Sequence, residues 1–269
     1  MKFRHAAAAT LLLGLAPQAA HSQTARIAPV LSTTMQRTCE SETSSLQLIN
    51  GGREVTDGQP TIENQTRVLR VTRIPGGYLF EQTVNAPGGD TLLRFNVTPN
   101  GAASDAALSG SAIDAYAVAA PQIDLSVLAA ALSQDVPERL LIGRSLAVGD
   151  SYYPADLQRS LMGRMTTSLG LPFPVDGFID IRYRGEVTHA GRRAWRFTGP
   201  MTVQGAGDLN GQPISIAQTT QNEVFHDVET GLVLSFRAEA ETRLNLDGQP
   251  FQAARNTDAY QCRLIPQQA

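Results

Sequence analysis

Lysine is all but missing from this chain of 269 residues, where Lys2 is the sole example, and cysteine is nearly as scarce, with only Cys39 and Cys262. Without lysine beyond residue 2, Schiff-base chemistry is excluded from the rest of the chain. The positive charge is therefore carried by arginine, in an alanine-rich composition that fits a GC-rich coding sequence. The two cysteines form no C-x-x-C pair, which excludes the usual redox motif. Of four histidines, only His189 and His226 lie beyond residue 22, too few for a metal site of recognisable spacing. No basic run interleaved with aromatics occurs and the net charge is −3, so no nucleic-acid partner is expected. No apolar run after the first 20 residues is long enough for a transmembrane helix. Aromatics are 6% of the chain, too few for the interfacial girdles of an outer-membrane barrel, and the last six residues contain none.

What is present begins with an address. Lys2 and Arg4 precede an apolar stretch from Ala6 to Ala16, and Ala20-His21-Ser22 places small residues at a cleavage position. The expectation is a Sec-type signal peptide over 1–22, cleaved near Ser22, and delivery to the periplasm or beyond. The remaining 247 residues carry 20 arginines against 25 acids, a net of −5. Cys39 follows Gln36-Arg37-Thr38, unlike a lipoprotein signal. In an oxidising compartment, Cys39 and Cys262 are expected to bridge, closing nearly the whole mature chain.

Period-two alternation dominates after residue 177. Ile179, Ile181, Tyr183 and Val187 alternate with Asp180, Arg182, Arg184 and Glu186. Trp195, Phe197, Met201 and Val203 define a second strand, and Leu232 to Leu246 a third, each with one apolar and one charged face. Ala190-Gly191, Glu229-Thr230-Gly231 and Asp247-Gly248 supply the turns. The string Asp/Asn-Gly-Gln-Pro occurs at 57–60, 210–213 and 247–250, each expected to open a strand, and an offset of 153 residues between the first two hints at related halves. Earlier strands are read at Val68–Ile74, Tyr78–Val84 and Leu92–Thr98, with weaker alternation. Residues 99–121 are poor in large apolar side chains and read as a mobile surface segment. Helices are expected over 124–132 and 154–169. The fold class is mainly β: a strongly twisted or rolled antiparallel sheet, either half-barrel or sandwich, made of two meanders over about 26–98 and 177–265, with a small helical insert over about 99–176.

Candidate chemistry is sparse. Gly143-Arg144-Ser145-Leu146-Ala147 approaches a nucleophile elbow, but Val148-Gly149-Asp150 makes a turn where a helix is required, so Ser145 reads as structural. His189 and His226 read as exposed turn and strand-end histidines, Asp227 and Glu229 as a thin calcium pair, and Asp150, Asp156, Asp176 and Asp180 as solvated carboxylates. The arginines at 182, 184, 192, 193 and 196 face enough acids for cross-strand pairing. Met162 and Met165, with Leu157 and Leu161, give the second helix an adaptable apolar stripe. Set against Trp195, Phe197 and Phe236, that stripe is the candidate lining of a cavity for a lipid or other apolar ligand.

The layout resembles envelope proteins that bind lipid or lipoprotein in a rolled sheet, a likeness of architecture that rests on no specific motif. It implies a soluble, non-catalytic envelope protein that carries an apolar ligand without a cofactor. An envelope assembly protein presenting sheet edges to a protein partner is the alternative, and an extracytoplasmic hydrolase the third.

Overall fold

A computed structural model of the chain describes residues 24–27, 34–119, 124–134, 136–155, 157–158, 173–209 and 211–266. Its strands are β1 (Thr24–Ile27), β2 (Met35–Asn50), β3 (Arg53–Glu54), β4 (Thr61–Ile74), β5 (Gly77–Ala86), β6 (Gly89–Val97), β7 (Ala103–Ser109) and β8 (Arg144–Ala147). They continue with β9 (Val175–Ile179), β10 (Arg182–His189), β11 (Arg192–Leu209), β12 (Gln212–Asp227), β13 (Val233–Leu246) and β14 (Gln249–Pro266). Two helices, α1 (Ser111–Ala119) and α2 (Leu125–Gln134), and a 3-10 turn at Arg139–Leu141 lie between β7 and β8.

Twelve strands form one antiparallel sheet in the order β10-β11-β12-β13-β14-β2-β4-β5-β6-β7, with β3 added to β2 and β9 added to β11. The two ends of this order do not pair, so the sheet is open. The architecture is thus one large twisted sheet with a small helical insert, β1 pairing separately with β8, and not the sandwich. Each meander is built from hairpins whose turns suit their residues. Asp247 (φ 52°) and Gly248 (φ 73°) both take the left-handed conformation that a type I′ turn demands. All three Asp/Asn-Gly-Gln-Pro strings stand at strand starts: Pro60 just before β4, Pro213 and Pro250 as second residues of β12 and β14.

The two meanders meet where β14 lies beside β2, joining the last strand to the first long one. At this seam Cys39 and Cys262 are directly opposed and disulfide-bonded. Along β11 the neighbour changes from β10 to β9 at Gly199, whose missing side chain admits the Asp180 carbonyl: a Cβ there would stand 2.0 Å from that oxygen. The continuous strand read through 179–187 is accordingly broken at residues 180–181.

Two further expectations are corrected. The stretch 99–121 contains the edge strand β7 and helix α1, because a strand at the end of a sheet needs only backbone pairing with β6 and tolerates Ala and Ser side chains. His226, read as a strand-end surface residue, is fully buried. Helix α2 matches its expected position, its amides capped by the Asp124 carboxylate, which accepts from Ser126 N at 2.8 Å. The helix expected over 154–169 begins with Gln158 N donating to Pro154 O, and residues 159–169 lie outside those described.

The apolar face of the sheet carries two buried clusters. One gathers Phe197, Tyr183, Val224, Val203 and Val233 with Leu140, Leu141, Leu146 and Tyr152 from the insert. The other gathers Leu69, Val71, Phe80, Phe95 and Val97 with Ala129 of α2, Val136 and Ile142. Since the disulfide closes a separation of 223 residues, Cys39→Ser is expected to lower unfolding free energy by about 5 kcal/mol in the chain-entropy account. Urea titration of the oxidised wild type against the variant checks this, and coincident curves would reject it.

Candidate functional site

The inner side of the sheet is not uniformly apolar. Because directly opposed residues share a face, the register sets Arg67 in a row running Thr91, Val84, Arg67, Cys39, Cys262 across β6, β5, β4, β2 and β14. The parallel row runs Leu108, Leu93, Gln82, Leu69, Arg37, Leu264. Polar side chains are thus spaced among aliphatic ones on the face that the insert covers.

Arg37 is 2% exposed and Glu138, from the turn after α2, is 3% exposed. Their pairing is bidentate: Arg37 Nε donates to Oε1, and Nη2 to Oε2 at 3.2 Å. Glu138 Oε1 also accepts the Val233 amide at 3.1 Å, and Arg37 Nη1 donates to the Cys39 sulfur at 2.8 Å. Burial works against both charges and their mutual attraction outweighs it, so the arginine pKa is raised and the glutamate pKa is lowered.

Next to this pair, His226 Nδ1 lies 2.9 Å from the Gly231 carbonyl and Nε2 lies 2.9 Å from the Tyr152 hydroxyl. A carbonyl can only accept, so Nδ1 carries the proton and Nε2 accepts from Tyr152. Burial pushes the His226 pKa down to about 4, although Glu138 acts in the opposite sense, and burial also raises that of Tyr152 well above its usual value. Neither residue is poised to exchange protons near neutrality.

A cavity of about 340 Å³ opens between the insert and the sheet. Val84, Leu93, Leu108 and Phe236 of the sheet and Leu132, Val136 and Tyr153 of the insert supply apolar walls. Its polar side holds Arg67, Gln82, Thr91 and Asp258, with Tyr260 and the paired Arg37 at the base. Arg67 and Arg37 stand 5.3 and 5.9 Å from the Tyr260 ring centre. Burial raises the Tyr260 pKa to about 12.

The sequence-based candidates divide. Phe236 lines this cavity, stacked on Tyr260 at 5.1 Å. Trp195 and Phe197 are buried in the core beside it and do not line it. Leu157 packs against the same core and borders a separate depression of about 230 Å³ with Arg139, Leu140 and Pro154. Leu161, Met162 and Met165 lie outside the described residues. Arg37, Arg67 and Glu138 were not singled out by sequence. For Arg37 a signal existed, since residue 37 shares its face with Cys39 in an alternating strand.

The other chemistry resolves into structure. Asp227 Oδ1 accepts from Arg192 and Oδ2 from the Thr230 amide and hydroxyl, while Arg192 also reaches Glu229, so the suspected calcium pair is engaged. Arg193 pairs with Glu186 and Arg196 with Glu223 across strands. Asp180 pairs with Arg182, whereas Asp150 and Asp176 accept from the Ala147 and Gly177 amides. Asp156 lies outside the described residues. Ser145 is exposed on β8. A second large depression of about 480 Å³ on the opposite face is walled by Glu239, Glu241, Arg243 and Arg255, and its charges are tied by Arg243–Glu241 and Arg255–Glu241 pairs. His189 Nε2 sits 2.9 Å from the Ser235 hydroxyl with its ring stacked on Phe225, and among the described residues no carboxylate is seen to orient that histidine.

The fold and site together define a β protein built on one large open sheet, with a cavity of mixed polarity between that sheet and the insert. No family model and no curated protein matches the chain. Among solved structures, an outer membrane channel from Pseudomonas putida F1 aligns with 87% of this chain and 97% of its own, at 11% identity and a TM-score of 0.23. Among the described residues no helix is long and apolar enough to cross a membrane.

Two outcomes follow from the buried polar groups. Glu138→Leu strands Arg37 and the Val233 amide, and is expected to cost about 3–5 kcal/mol, most of it recovered by Arg37→Met with Glu138→Gln, which keeps an acceptor for that amide. Chemical denaturation of the set checks this, and an equal loss in the double variant would contradict it. For His226, neutral when folded down to pH about 4 but titrating near 6.5 when unfolded, stability is full above pH 6.5 and declines on acidification toward pH 4. His226→Gln is expected to lower stability at pH 7 yet remove up to about 3 kcal/mol of that decline, read from urea titrations across the window.

Proposed function

We propose that the chain is an exported protein of the cell envelope that holds an apolar or lipid-like ligand between its insert and its sheet. The observation that carries this reading is the cavity of about 340 Å³, walled on both sides by aliphatic and aromatic side chains. That volume falls in the range of small-ligand sites, which are mostly apolar with a few placed polar groups. The basic, alanine-rich leader and the disulfide at the β2–β14 seam support export to an oxidising compartment. The Ser235–His189 pair and the neutral, buried His226 give little footing for the hydrolase alternative. Carriage without turnover is the function.

Native mass spectrometry of the protein purified from its own envelope fraction, followed by organic extraction, tests the proposal. The expected result is a stoichiometric apolar adduct. Val84→Phe places a ring in the cavity wall and is expected to abolish the adduct with little change in melting temperature. A clean apo mass for the wild type would overturn the carrier reading.

A further inference from the structure

We propose that the cavity takes a single-chain amphiphile with an anionic head, carboxylate or phosphate, the head at Arg67 and the tail along Leu93, Leu108 and Leu132. This rests on the carrier reading above. Arg67 is the more loosely paired of the two arginines that line the cavity. Among the described residues its Nε is sealed from solvent without a hydrogen bond, and its ion-pair partner Asp258 stands 3.7 Å from Nη2, longer than a hydrogen bond. By contrast, Arg37 in the same cavity is held by Glu138 and Cys39.

The physical case is one of incomplete satisfaction. A buried guanidinium nitrogen without an acceptor costs free energy that an incoming oxygen offsets, and the planar guanidinium fork donates to carboxylate or phosphate oxygens in pairs. Tyr260, 5.3 Å below the guanidinium carbon, braces that fork. Asp258 is held in place by Thr43 at 3.4 Å and is left to compete weakly with the ligand for Arg67. Arg67 and the aliphatic wall lie on one face, because Val84 is opposite Arg67 and Leu93 is opposite Gln82 in the sheet register. The volume suits one chain, not two.

Titration calorimetry of the oxidised protein with dodecanoate, dodecyl phosphate, dodecanol and dodecyltrimethylammonium tests the proposal. Both anionic amphiphiles are expected to bind about tenfold more tightly than dodecanol, and the cation to bind weakest. Whichever anion binds tighter identifies the head as carboxylate or phosphate. Arg67→Met is expected to erase the preference for anions while dodecanol binding persists. Should Arg67→Met fail to fold, Asp258→Asn serves instead, strengthening both anions and leaving dodecanol unchanged. Binding of all four without preference overturns the head site alone, whereas binding of none overturns the carrier reading with it.

Discussion

The Arg37–Glu138 pair is the joint on which the two halves of this protein close. It sits where three segments pass from one apolar cluster to the other: Val136 belongs to one and Leu140 to the other, Leu232 to one and Val233 to the other, and on β2 Met35 packs with the first and Cys39 with the second. Two ions placed in such a position cost desolvation that attraction offsets only if every remaining lone pair and proton is satisfied. Here the glutamate also takes the Val233 amide and the arginine also meets the Cys39 sulfur, so both charges are pinned to the backbone and to the disulfide. The pair thereby fixes how the insert docks, since Glu138 has one place to go.

His226 and Tyr152 extend this joint into the C-terminal cluster. Tyr152 packs on Phe197 at 4.7 Å and donates its hydroxyl to a histidine that burial keeps neutral. A histidine so placed is a hydrogen-bonding spacer between the insert and the turn at Gly231, not a proton carrier.

How much of this was legible in the sequence depended on how pure each face is. In the C-terminal half the inner positions Tyr183, Phe197, Val224 and Phe236 are apolar and their neighbours charged, so the strands and turns read directly. In the first half, Arg37, Ser41, Arg67 and Gln82 occupy inner positions, which blurs the alternation. That blur was the signature of the cavity's polar side, legible only once the register showed which residues share a face. Glu138 had no such trace, because an irregular segment has no period and its partner lies 101 residues away. The apolar stripe assigned to the second helix led to Leu157, whereas α2 and Val136 wall the cavity.

The seam between β2 and β14 has a consequence for the order in which the sheet is completed. A chain made from its N-terminus produces β2 early and can pair it with β4 at once, but its other edge waits for β14, the final strand. For the whole of that interval a 16-residue edge stands unsatisfied, the condition that invites pairing with other chains. Its sequence from Thr38 to Ser45 is Thr-Cys-Glu-Ser-Glu-Thr-Ser-Ser, with acids at 40 and 42 and almost no apolar bulk. A strand that must wait longest for its neighbour is written in residues that give a stranger little to hold.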